Sequence, residues 1–312
     1  MNRWGWLIAL CGVLLPGASL RADEVGVLIL AHGGSGRWNQ AVQQTVAEAQ
    51  LTYPTQIAFG MGMHPQEVQD LQRAVKALER RRVSRIVVVP LLISSASEVM
   101  RQFQYLLGLR DHGPWEAQAK PIERHVPVVM TGPLDDDPVV AEVLLERASN
   151  LSQAPAEESV ILVAHGPTSD EDNLQWLAVM DRLARRVKEL GHFRAVIPVT
   201  MRDDAPQPVQ EEATRRMRAL VRLQSERGRT LVIPLLLANG GIETKIPKRL
   251  EGLRYVYQGQ ALLPHPKLAQ WIANRVRSAA DSPTGRSRAT TVIGRLAQES
   301  SVCYNSAADV TW

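Results

Sequence analysis

The sequence predicts an α/β protein made of two doubly wound, parallel-sheet domains in tandem, and three observations carry that prediction. Apolar runs of strand length alternate with segments of helical periodicity along most of the 312 residues. One of those runs occurs twice, as VGVLILAHGG at Val25–Gly34 and SVILVAHGP at Ser159–Pro167. The histidines that end the two copies, His32 and His165, lie 165 − 32 = 133 positions apart, with further matches at similar offsets. A strand with no polar face is buried on both sides, as in a parallel sheet covered by helices. Alternating strand and helix implies right-handed crossovers.

In the first half the pattern predicts a strand over Val25–Ala31, a helix over about Asn39–Leu51 and a strand over Gln56–Met61. Next comes a helix over Pro65–Arg81. Pro65 suits its first turn, Glu67 and Asp70 complement its dipole, and Val68, Leu71, Val75 and Leu78 form a stripe with 3–4 spacing. A strand over Arg85–Pro90, a helix over Glu98–Gly108, a short strand near His125–Met130 and a helix over Pro138–Ala148 complete the half.

The second half repeats the order. Strand Val160–Ala164, helix Asn173–Leu190, strand Ala195–Thr200, helix Pro208–Glu226 and strand Thr230–Pro234 follow one another. A loop, the segment Ile246–Gly252, strand Tyr255–Gln258 and helix Pro266–Ala279 end it. Pro90 matches Pro234, and Gly108 and Gly252 stand at the same distance beyond them, 108 − 90 = 252 − 234 = 18. The polar stretch Asn150–Glu158 reads as the linker. The domains expected are therefore 23–150 and 151–280, with a Ser/Arg/Thr-rich flexible tail over 281–312.

Residues 1–22 read as a secretory signal peptide: Arg3, an apolar run from Trp4 to Leu15, then Pro16 and small residues to Ala22. The run is short of the roughly 20 residues that span a bilayer. Leu10 before Cys11 does not suit a lipoprotein signal. The expected mature chain is exported, periplasmic or secreted, with no membrane partner after cleavage. Only Cys303 remains in it, so no internal disulfide is expected. The formal charge, 36 − 32 = +4, falls to 34 − 32 = +2 without Arg3 and Arg21. The Arg/Lys clusters sit beside glutamates in helical patterns with no aromatic stripe, which excludes nucleic acid as an expected partner.

Ligands of open parallel sheets sit beyond the carboxyl ends of the strands, where His32 and His165 stand. His32 is followed by Gly33, Gly34, Ser35 and Gly36, a loop with neither the Lys-Ser/Thr of a P-loop nor the spacing of a dinucleotide fingerprint. The third strand of each half runs into a small-residue loop, PLLISSAS with Ser95 and PLLLANGG, followed by Glu98 and Glu243. His64 stands after the second strand, in GMGMHP with Met61 and Met63. His32, His64 and Glu98 make an open nitrogen/oxygen set suited to a borderline divalent ion such as Co2+, Fe2+ or Ni2+, without an organic cofactor. The second half is poorer, with Ile242 opposite Glu98 and Asp203-Asp204 in place of Met63-His64. The first half is expected to carry the site.

These residues together are similar to a known family. Strand-AHG, a strand running into a proline-started helix, and VVVPLL with a small loop resemble the class II tetrapyrrole chelatases. The likeness is to the CbiX/SirB sirohydrochlorin cobalto- and ferrochelatases in their long, two-domain form. It spans Val25 to Val276, and LLPHPKLAQWI with His265 resembles the closing segment. It implies the chelatase-like fold, two α/β domains facing across a cleft in a monomer with pseudo-dimeric halves. It further implies insertion of Co or Fe into a sirohydrochlorin-type tetrapyrrole. His32 matches the family's first histidine, and Glu98 stands where the second is usual. On that reading His32 and Glu98 are catalytic, His32, Glu98 and His64 meet the metal, and Gly33, Gly34, Ser35, Met61, Met63 and Ser95 line the macrocycle's place. The alternative is an exported, non-catalytic metal- or tetrapyrrole-binding protein.

Overall fold

The structure, a computed structural model, describes residues 24–60 and 63–282. The segment read as a signal peptide, Met61, nearly all of the expected tail and Cys303 lie outside the described residues.

Both halves build a four-stranded parallel sheet. In the first, β1 (Val25–Ala31), β2 (Thr55–Phe59), β3 (Arg85–Leu91) and β4 (Val128–Met130) stand in the order β2-β1-β3-β4. In the second, β5 (Ser159–Ala164), β6 (Ala195–Thr200), β7 (Thr230–Leu235) and β8 (Val256–Tyr257) repeat it as β6-β5-β7-β8. The registers agree as well. Ala31 pairs with Phe59 and Leu91, and Ala164 with Thr200 and Leu235. The chain thus reverses its direction of winding beside β1 and again beside β5, the places where open sheets form a crevice.

The helices are α1 (Gly36–Glu48), α2 (Pro65–Arg80), α3 (Glu98–Leu106), α4 (Pro138–Ser149), α5 (Asp170–Gly191), α6 (Gln207–Arg227), α7 (Ile242–Arg249) and α8 (Pro266–Ala280). Most match the sequence pattern to within a turn. The caps that start them are visible in the chain: Ser35 before α1, Asp137 before α4 and Ser169 before α5 each accept a backbone N–H. The segment at Ile246–Gly252 begins earlier than its pattern suggests, as α7 from Ile242. The linker holds a single 3-10 turn, Pro155–Glu157. Gly108 and Gly252 both carry a left-handed φ, +64° and +80°, so the spacing match in the sequence marks one turn built twice.

Side-chain alternation sorts the core into three layers. Val25, Val27, Ile29 and Ala31 of β1 join α1, α4, α5, α8 and the matching face of β5 and β7 in one cluster that runs through both halves. Leu28 and Leu30 face the other way, onto α2 and α3, and Ile161 and Val163 face α6 and α7. The last helix of each half crosses over. α4 packs on β7 and α5, whereas α8 packs on α1 and β3. The linker near residue 150 therefore divides the repeats in sequence, while their packing is interlocked. Among the described residues no helix is long and apolar enough to cross a membrane.

Candidate functional site

β1 and β5 end side by side at the mouth of a cavity of about 580 Å³ between the lobes. The first lobe contributes His32, Gly33, Gly34, Trp38, Leu92, Ile93, Glu98 and Gln102; the second contributes His165, Gly166, Asp172, Trp176, Asp204, Leu235–Ala238, Gly240 and Ile242. The apolar part comes largely from the loops after β3 and β7. Their small residues let an aromatic ring close the gap. A Cβ on Gly240 would stand 2.9 Å from Trp38 Cδ1, so Trp38 of the first lobe lies directly against the loop of the second. At the other wall Trp176 Nε1 donates to the Ala96 carbonyl at 2.6 Å, and Arg101 forms a two-pronged ion pair with Asp172 at 3.0 and 2.7 Å.

His32 leaves β1 half-buried, its ring 6.1 Å from that of Trp38. Its Nδ1 lies 2.9 Å from the Gly33 carbonyl oxygen. A carbonyl only accepts, so the neutral ring carries its proton on Nδ1 and leaves Nε2 with a free lone pair. Burial pushes the imidazole below its ordinary pKa of 6.5. His165 adds to that shift, while the Gly33 bond, Asp204 and Glu67 oppose it. The first lobe therefore presents a neutral, basic nitrogen to the cavity.

Glu98 also lines the cavity. Its Oε1 accepts from Trp115 Nε1 at 3.1 Å and Gln102 Nε2 at 3.3 Å, so the carboxylate is tied to its own lobe. Gln102 is buried and its Oε1 has no hydrogen-bond partner.

The three-donor set expected of His32, His64 and Glu98 does not form. His64 caps α2, its Nδ1 accepting from Gln66 N–H at 3.4 Å, and it does not line the cavity. The local turn before Pro65 uses the ring, as for any capping residue. Met63 is buried against α2 and α3 on the outer side of the sheet, not on the cavity wall. Ser95 is exposed, its backbone N–H held by Asp135 Oδ1 at 2.8 Å, and Ser35 caps α1; neither lines the cavity. Gly33 and Gly34 do. His265 caps α8 and meets Glu146 Oε2 at 3.1 Å, so it holds the crossed helices together.

Among the described residues the acidic and imidazole side chains that converge are in the second lobe. His165, Asp203 and Asp204 each bring one ligand atom within 4.8 Å of the others. Met201 N–H donates to Ala164 O at 2.9 Å and Arg202 N–H to His165 O at 2.7 Å, which draws the loop after β6 beside the exit of β5. Asp204 reaches the cavity, whereas Asp203 turns inward to Lys245 and Arg249. Burial works against the charge of Asp203, yet these cations and His165 hold its carboxyl below the usual range. Glu243 is spent locally, accepting the N–H groups of Gly240 and Gly241 at 3.0 and 2.8 Å. The sequence carries a signal for this cluster, since Asp203-Asp204 follows the second strand where Met63-His64 does in the first half.

Two interlocked α/β lobes with strand ends meeting at one cavity make the chelatase-like fold of the solved structures the chain resembles. The CbiX family's sequence profile matches the chain twice, over residues 26–151 and 159–279. The chain belongs to the CbiX family of metal chelatases. Solved structures share the fold. SirB from Bacillus subtilis with Fe3+ superposes with a TM-score of 0.59 at 20% identity, over 83% of this chain and 96% of that one. CbiX, described as the terminal enzyme for biosynthesis of siroheme in denitrifying bacteria, gives 0.53 at 17%, over 81% and 99%. A multi-domain protein of Deinococcus radiodurans with structural similarity to chelatases gives 0.54 at 18%, over 85% of this chain and 56% of that one. No curated protein sequence matches the chain.

Proposed function

We propose that this protein inserts a divalent metal, Co2+ or Fe2+, into a sirohydrochlorin-type tetrapyrrole held in the cavity between its lobes. The observation that carries this reading is the free Nε2 of a neutral His32 at a cavity that His165 and Asp204 of the second lobe also line. The reaction exchanges both pyrrole N–H protons of the free macrocycle for the ion, so the site needs proton acceptors as well as a path for a cation.

His32 suits the first need. Its lone pair is available without prior deprotonation at neutral pH, and its Nδ1–H bond to Gly33 fixes the direction in which Nε2 points. Glu98, held by Trp115 and Gln102, supplies a fixed carboxylate on the same wall for the second proton. Trp38, Leu92, Ile93, Trp176 and Leu235–Ala238 offer the apolar surface against which a flat macrocycle is desolvated. The signal-peptide pattern at residues 1–22 supports action in the periplasm or outside the cell, by a monomer whose two halves mimic a dimer.

The test is insertion by the mature protein, followed by the change in the macrocycle's absorption. Replacing His32 with alanine is expected to lower kcat/KM by about 10²-fold or more, the usual share of a positioned general base. An unchanged rate refutes its role.

A second reading is an exported binder of metal or tetrapyrrole without turnover, favoured by the convergence of His165, Asp203 and Asp204. Tight binding with no insertion would establish it.

A further inference from the structure

The described charged groups on the cavity wall are the carboxylates Glu98, Asp172 and Asp204, with the two imidazoles; no lysine or arginine is among the lining residues. Asp172 is answered by Arg101 from behind the wall. Asp204 is 74% exposed and has His165 as its neighbour, with Nε2 and Oδ2 3.5 Å apart. That separation is too long for a hydrogen bond of normal strength. It is, however, the spacing of two ligands around one ion, because atoms about 2.1 Å from a tetrahedral centre lie about 3.4 Å from each other. Asp203 completes the group.

Asp203 is 6% exposed and meets two cations of different character. Arg249 reaches Oδ1 and also donates to the Met201 carbonyl at 2.9 Å, so it is braced from two sides and only 16% exposed. Lys245 reaches Oδ2 from a 50% exposed, flexible stem. A guanidinium held in a fork is a structural partner, while a half-exposed ammonium is a strongly hydrated point charge that can leave for water.

We infer that the second lobe carries a divalent-cation site of its own, formed by His165, Asp203 and Asp204, in which the Lys245 ammonium occupies the cation's place until an ion displaces it. One nitrogen and two carboxylate oxygens suit a borderline ion such as Co2+ or Fe2+. Arg249 stays and keeps Asp203 in place. His165 and Asp204 border the same cavity as His32, so an ion held by them would be reached from that cavity. The inference deepens the proposed function by naming where the ion waits before insertion, and it rests on that reading for the transfer alone. It places a site in the second half, whereas the sequence led us to expect one in the first.

The experiment titrates metal-free mature protein with Co2+, read by the ligand-field absorption of the bound ion and by calorimetry. A single saturable site is expected in the native protein. His165→Ala and Asp204→Asn each weaken it by about tenfold or more, the scale on which loss of a site residue is felt. Asp204 is mostly exposed, so D204N tests the site even if H165A folds poorly. Lys245→Met tightens binding, because the competing charge is gone, and His125→Ala, at an exposed surface position, leaves it unchanged. Absence of a saturable site, or equal affinity in native protein and D204N, overturns the inference. Binding in K245M that is equal or weaker overturns the displacement. Co2+ binding with this pattern but no insertion would remove the proposed reaction and leave the site.

Discussion

The joint between the lobes rests on a contact whose strength can be worked out. Arg101 of α3 and Asp172 of α5 are joined by two charge-assisted hydrogen bonds, at 3.0 and 2.7 Å, with 28% and 12% of their side chains exposed. At about 4 Å between charge centres and an effective dielectric near 20, the gross attraction is about 4 kcal/mol. Removing part of the hydration of both ions offsets a portion of it. Fully exposed pairs give about 0.2–1 kcal/mol, and breaking a fully buried one costs about 3–5 kcal/mol. The pair stands between these limits, so a coupling energy of about 2 kcal/mol is expected. The perturbation is the set Arg101→Met, Asp172→Ala and the double variant. The measurement is urea unfolding of all four proteins, since the cycle cancels what each substitution does on its own. A coupling below about 0.5 kcal/mol would refute the reasoning, and with it the view that this contact clamps the cavity wall.

Other outcomes follow from single residues. Gly166 holds φ at +76°, and a Cβ there would stand 2.6 Å from Thr200 Cβ. Gly166→Ala should therefore destabilise by about 1–2 kcal/mol for the left-handed backbone alone, with the clash added; a thermal melt unchanged from the native protein would contradict this. The lowered His32 pKa places the acid limb of the kcat/KM profile below pH 6.5. The unfolded chain takes up the proton first, so His32 costs stability as pH falls from 6.5 toward its folded value and contributes nothing above. A limb at or above 6.5, or its persistence in His32→Ala, would count against that assignment. His64→Ala should cost about 0.5–1 kcal/mol, a lost helix cap, and leave Co2+ titrations unaltered; weakened Co2+ binding would restore His64 as a ligand.

Local pattern decided a good deal. A strand such as Val25–Ala31 has one solution, burial on both faces in a parallel sheet, because it offers no polar side to water. Its duplicate at Ser159 dictated the second lobe, and the end of each strand dictated the depth at which His32 and His165 stand. Apolar periodicity found the helices but set the starts of α1 and α5 three residues late, at Asn39 and Asn173, because the caps Ser35 and Ser169 lie ahead of the periodic stretch.

The direction in which a loop side chain points is another matter. His64 and Met63 follow a strand just as Asp203 and Asp204 do, yet the former pair serves α2 and the outer core while the latter turns toward His165. The difference arises from partners distant in sequence, such as Lys245 and Arg249 of α7, which no local pattern ties to residue 203. The crossing of α4 and α8 between the lobes is likewise a matter of which apolar stripe finds which sheet. The chain by itself determined two sheets and where their histidines end, because strand burial and capping are short-range. Only the folded protein decided which donors share an ion's reach, because that depends on long-range packing and on the charges packing brings together.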